Sequence, residues 1–169
     1  METNRRKFIS TAFAGSIAAA LPLQANGSSL SNVVQDALKT DYSKLDELLK
    51  RPVFKKEIFR SPVIIETLEL LRYGNNFICT VRSKDGAVGI SVGHSGQLRS
   101  QYPIFTNLLK PFFINKDARD LDLLLEKVYI YKLNFRLSGM ALGVPLATIE
   151  FAILDMMGRI AGKTMGQLI

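Results

Sequence analysis

The side chains in this sequence that could do chemistry are few, and their spacing gathers almost none of them. Cys79 is the only cysteine, which excludes an intramolecular disulfide and a cysteine metal cluster. It lies in an alternating apolar run with Phe77 and Val81, with no local group to lower its pKa. It therefore reads as a small buried hydrophobe rather than a nucleophile. Asp155 and Arg159 stand at the i, i+4 spacing of a helical ion pair, a structural arrangement rather than a catalytic one. Lys55, Lys56 and Arg60 are the nearest thing to a basic patch and read as a solvated linker. The formal net charge is +7, but no dense basic run interleaves with aromatics, so no nucleic-acid partner is expected.

A length of 169 residues fits one modest domain plus a leader, and 47% apolar with 22% charged residues is an ordinary globular balance. The leader reads from Arg5-Arg6-Lys7-Phe8, then a short apolar middle from Ala12 to Leu23, then a small residue at Ala25. The middle is too short for a comfortable membrane span of roughly 20 residues. Adjacent arginines before Phe8 resemble a twin-arginine export signal. That implies recognition of Arg5 and Arg6 by twin-arginine export machinery, cleavage near Ala25 and a periplasmic product. With no cysteine after the apolar segment, a lipoprotein anchor is excluded. The domain boundaries expected are 1–25 signal, 26–61 linker with a short helix, 62–144 body and 145–169 terminal helix.

Within the linker, Leu45, Leu48 and Leu49 predict a short amphipathic helix over 42–50, capped at Asp41 or Ser43 and stopped by Pro52. Val63 to Tyr73, Asn76 to Ser83 and Val88 to Val92 alternate like strands, joined by turns at Gly74-Asn75 and Lys84-Asp85-Gly86-Ala87. Together they predict a three-stranded antiparallel meander. The periodicity then becomes helical, over 102–113 with Pro111 near its end, and over 118–132 with Asp117 as N-cap. A last apolar helix runs from Pro145, at a first helical position, to a stop at Gly162. Strands first and helices afterwards make an α+β fold, the helices covering one face of the sheet.

Two blocks then carry a resemblance: Val81-Arg82-Ser83-Lys84-Asp85-Gly86-Ala87-Val88-Gly89, and Ala147 to Arg159 continuing through Gly162 to Gln167-Leu168-Ile169. From Pro62 to Ile169 the sequence resembles the amino-terminal capping domain of the enolase superfamily, in its mandelate racemase and muconate lactonizing enzyme branch. The terminal block is the specific part. It departs from the family wording at Leu154, where tryptophan is usual, and at Ile90-Ser91-Val92-Gly93, which lacks the usual glutamate.

The resemblance implies a β/α barrel as partner, holding magnesium on three carboxylates with lysine or histidine bases that remove the proton α to the carboxylate of a small-acid substrate. No catalytic or metal residue is expected in this chain, which stops inside the family's leucine-glycine motif and reads as a fragment without the barrel. What it implies for these residues is a substrate lid made of two segments. One is the short turn carrying Tyr73, Asn75 and Asn76, and the other is a loop over 93–102 carrying His94, Ser95, Gln97 and Arg99. On the fragment reading Phe151, Leu154 and Met157 face the absent barrel and homo-oligomers are possible. The other reading is a stand-alone exported α+β binding or interaction module without catalysis, whose terminal helix is covered.

Overall fold

The computed structural model describes residues 42–169 except Ser138, so the signal at Arg5, Arg6 and Ala25 lies outside the described residues. The chain divides into two units between Leu48 and Leu49. In the first, α1 (Ser43–Leu48) is the short helix expected there.

Three strands, β1 (Ile65–Tyr73), β2 (Asn76–Ser83) and β3 (Val88–Gly93), form an antiparallel sheet in the order β1-β2-β3. Leu68 pairs with Val81 and Leu70 with Cys79, and all four are buried, so one face of the meander is core as the alternation requires. The turn between β2 and β3 is closed by Ser83, whose backbone N–H donates to Ala87 O and whose hydroxyl accepts from Ala87 N–H. The sheet and the helices that cover it make the α+β arrangement read from the sequence.

That face is covered by two helical segments. The first runs without a break from α2 (Ser95–Ile104) through a wide π turn (Phe105–Leu109) into α3 (Lys110–Phe113). In the π turn Lys110 N–H reaches back to Phe105 O. Pro111 accounts for the widening, because its ring conflicts with the carbonyl four residues earlier and it has no N–H to offer. Phe105, Leu109 and Phe113 are fully buried beneath it.

The second cover is α5 (Met140–Ala161), which lies along β3. It starts earlier than expected. Gly139, at φ 77°, precedes it and Pro145 lies inside it, because the added turn buries Leu142 in the core. Its stop at Gly162, in the left-handed conformation at φ 62°, is as read from the sequence. With a mean hydropathy of 1.6 it is apolar enough to cross a membrane, but Ile149, Ala152, Ile153, Met156 and Met157 are fully buried within this body.

Two further expectations are corrected. The helix over 118–132 is a 3₁₀ turn (Ala118–Asp120) followed by α4 (Leu121–Lys127), then a second 3₁₀ segment (Tyr131–Leu137). Lys132 and Leu133 adopt φ of 47° and 63°, which no continuing helix tolerates. Asp117 is nonetheless the cap, accepting from Arg119 N–H at 3.0 Å. The apolar face expected to stand open on α5 is also mostly closed. Leu154 and Met157 are buried, and only Phe151 of the three is exposed. The tail of the body also packs on α5, where α6 (Met165–Leu168) folds back so that Leu168 is buried and its carbonyl accepts from Lys55 N–H. The Lys55 ammonium donates to the carbonyls of Gln167 and Ile169, and Lys56 pairs with Asp120 at 3.7 Å, so this basic stretch is partly structural.

Candidate lid and its groove

The hairpin between β1 and β2 is paired to its last residues, Tyr73 opposite Asn76, leaving Gly74 and Asn75 as the whole turn. Gly74 takes φ 60°, a conformation glycine reaches without a Cβ conflict. Arg72 Nε–H donates to Gly74 O at 2.9 Å, and its guanidinium lies 5.9 Å from the centre of the Phe77 ring. The tip is therefore braced from below.

Gly93 to Tyr102, read from the sequence as a loop, is a helix from Ser95 onward. His94 caps it, its Nδ1 accepting from Gln97 N–H at 3.2 Å, and Leu98 and Gln101, one turn apart, anchor it in the core. That pair was the signal for a helix, masked by Gly96 and Pro103. The helix start meets the hairpin tip: Arg99 Nη2–H donates to Asn75 Oδ1 at 3.0 Å and the Ser95 hydroxyl to Asn76 Oδ1 at 3.4 Å. Four of the seven expected lid residues, Asn75, Asn76, Ser95 and Arg99, are thus in direct contact. Tyr73 is 81% exposed at the tip. Gln97 instead turns along the helix, its Oε1 accepting from Gln101 Nε2–H, which also donates to Met140 O at the start of α5.

Beside this clasp lies an open groove of ≈ 480 Å³ lined by Leu70, Arg72, Phe77, Arg99, Tyr102 and Pro103. Of these only Arg99 was singled out from the sequence. Arg72 had a legible signal: it continues the Leu68, Leu70 alternation and so places a cation on the core face of β1.

The remaining candidates are structural. Asp155 Oδ2 accepts from Arg159 Nε–H at 3.0 Å, as the spacing suggested, and also from Ile90 N–H at 2.9 Å, satisfying a donor on the edge strand β3. Burial pushes the Cys79 thiol up to about 12, the Ser91 side chain opposing that only in part. In the native chain Cys79 is expected not to react with Ellman's reagent at pH 8, and one thiol should appear on unfolding; ready labelling of native chain would show the sheet face to be open.

Burial works to raise the Asp117 carboxyl, but hydrogen bonds from the Arg119 guanidinium and from the Arg119 and Val63 backbone, with the arginine's charge, outweigh it and hold it below the usual carboxylate range. Its folded pKa is depressed, so its stabilisation is full above the unfolded value near 3.8 and fades as pH falls through the folded one. Asp117→Ala is expected to lower stability by about 1–2 kcal/mol at neutral pH. In urea titrations that deficit should shrink below about pH 4; a deficit independent of pH would place the effect elsewhere. Glu150 shifts the other way, raised by burial and by the charge of Asp122.

No group of three or more His, Cys, Asp or Glu side chains that could hold a metal ion stands among the described residues.

No family model and no curated protein matches the chain. Solved structures do. A mandelate racemase/muconate lactonizing protein from Paracoccus denitrificans matches over 59% of this chain and 28% of its own, at 18% identity and a TM-score of 0.52. A muconate cycloisomerase from Azorhizobium caulinodans matches over 64% and 30%, at 19% identity and 0.51. A Sinorhizobium meliloti structure in an open-loop conformation matches over 62% and 34%, at 21% identity and 0.54. The fold is that of the matched parts of these structures, a three-stranded antiparallel sheet covered by helices. The chain spans only about a third or less of the length of each of these proteins.

Proposed function

We propose that this chain supplies the substrate lid of an enzyme of the mandelate racemase and muconate lactonizing type, one that removes the proton α to a carboxylate. The observation that carries the reading is the clasp of Asn75 and Asn76 to Arg99 and Ser95, set beside a ligand-sized groove on a capping fold. Such a clasp, positioned over a reacting centre, excludes water and fixes a substrate's remote end. Tyr73, His94 and Gln97 belong to the same two segments, and the Arg99 fork suits a carboxylate. The proton abstraction and the magnesium that would stabilise the resulting enediolate belong to a partnering β/α barrel. No step through the metal is assigned to this chain.

Measured by NMR in D₂O with magnesium and a panel of hydroxy and sugar acids, the chain alone should exchange no α-proton. Combined with a barrel domain lacking its own cap, it should restore exchange, and Arg99→Ala should raise KM. Exchange by the chain alone would overturn the reading. We further propose export to the periplasm through Arg5 and Arg6, so a twin-lysine variant should remain in the cytoplasm; unchanged export would refute the route.

A second reading, a stand-alone exported binding module, is favoured by the closed core: Leu154, Met157 and Leu168 are buried without any barrel. Light scattering separates the two. A monodisperse, cooperatively unfolding chain supports the module, whereas association through exposed Phe151 and Ile160 supports the lid.

A further inference from the structure

The chain leaves α4 at Lys127 and turns back on itself before α5 begins. Phe135 N–H donates to Tyr129 O at 2.7 Å, so residues 129–135 close into one small loop. Within it Lys132 and Leu133 are both left-handed, at φ 47° and 63°, a conformation that disfavours any residue with a Cβ and a bulky one most. The buried Asn134 holds the turn there, its amide donating to Val128 O at 2.9 Å. What this strained loop presents to solvent is apolar: Ile130 is 74% exposed, and Tyr129, Leu133 and Phe135 are exposed with it. An exposed apolar cluster rimmed by polar groups marks an interaction surface. The cations around it point to the partner. Lys127, Lys132 and Arg136 are exposed on the same stretch, and the sequence holds no acidic residue between Glu126 and Glu150. Lys132 lies over the Tyr131 ring, 5.3 Å from its centre, and no ion pair among the described residues uses any of the three. Aromatic and aliphatic side chains interleaved with lysine and arginine suit the boundary between lipid headgroups and acyl chains. Buried in a protein interface, each cation would need a carboxylate. At a membrane the cations stay solvated among phosphates while only the apolar side chains leave the water.

We propose that the loop 129–135 docks this chain on an anionic lipid surface, its exposed apolar side chains entering the headgroup layer and Lys127, Lys132 and Arg136 meeting lipid phosphates. The loop belongs to neither lid segment. It therefore stands or falls separately from the lid reading.

The full chain carries a second apolar stretch at 12–23, so the readout must be local to the loop. Ile130→Cys labelled with an environment-sensitive nitrobenzoxadiazole dye supplies it, the native Cys79 being buried. Glu69→Cys, on the sheet face away from the helices and labelled in the same way, is the reference. With phosphatidylglycerol vesicles the dye at position 130 should shift to the blue and be quenched by lipids spin-labelled near the headgroup. With phosphatidylcholine vesicles at the same lipid concentration it should not, and the dye at position 69 should respond to neither. Lys132→Gln combined with Arg136→Gln should raise the lipid concentration needed for half the shift about fivefold. Phe135→Ser should raise it about threefold. These side chains are exposed, so the variants should keep their fold, which circular dichroism checks. No shift at position 130, an equal shift with phosphatidylcholine, an equal shift at position 69, or full affinity in the glutamine variants would overturn the proposal. An equal shift on soluble polyglutamate, or a shift that grows with protein concentration without lipid, would also overturn it, assigning the loop to an acidic protein or to a second copy of this chain.

Discussion

Gly89→Ala is expected to destabilise the body by about 3 kcal/mol, at the upper end of what a single added methyl does in a packed core. A Cβ at this position would fall onto the Ala152 carbonyl and the Met156 backbone N of α5, closer than atoms can approach. Backbone cannot swing aside as a side chain does, so the helix would have to lift off β3. Ser91 lies between Gly89 and Gly93 on the same face and donates its hydroxyl to Thr148 O, fixing the height of the helix above the strand. A Cβ on Gly93 would meet Leu98 and Thr148, so the restriction extends along β3. Gly143→Ala is the internal control. It sits in α5 with nothing within 4 Å of the added methyl, and should stabilise by about 0.5–1 kcal/mol through helix propensity alone. Urea midpoints for the pair test this, and equal stabilities would mean that α5 does not rest on β3 as described.

Phe113→Ala should cost about 3–5 kcal/mol. The ring is fully buried at the end of α3, edge-on to Phe112 with centroids 5.1 Å apart, and Phe112 in turn lies 5.2 Å from Tyr131. Removing it leaves a cavity and withdraws support from the 3₁₀ segment that carries the left-handed Lys132 and Leu133. Phe113→Leu, which keeps most of the volume, should recover more than half of the loss in chemical denaturation. If Leu and Ala cost the same, the ring's edge contact rather than its volume sets the energy.

The meander was legible because each strand alternates and each turn contains glycine where the chain needs it. Asp117 and the Asp155–Arg159 pair were legible because caps and i, i+4 pairs act over a few residues. What escaped depends on distant parts of the chain. Ser95–Ile104 carries glycine and proline, and it is helical because Leu98 and Gln101 fit a core whose other side comes from α5. The return of α6 onto α5, with Leu168 buried and Lys55 holding the tail, joins residues more than 100 apart in the case of Lys55. Of the candidate site, the two segments proposed as a lid come from the resemblance, whereas the groove escapes because Arg72 reads as one more residue of a strand.

The two-residue turn at Gly74-Asn75 has a thermodynamic consequence for whatever binds beside it. A long flap must be ordered when its ligand arrives, and that lost freedom is subtracted from affinity. Here the ladder continues to Tyr73 and Asn76, and the tip is already tied to α2 by Arg99 and Ser95. Very little remains to be frozen. A ligand held at this end would meet a preorganised rim, so its selectivity would come from the fit of that rim, and its arrival rate would track diffusion and charge rather than the opening and shutting of a gate.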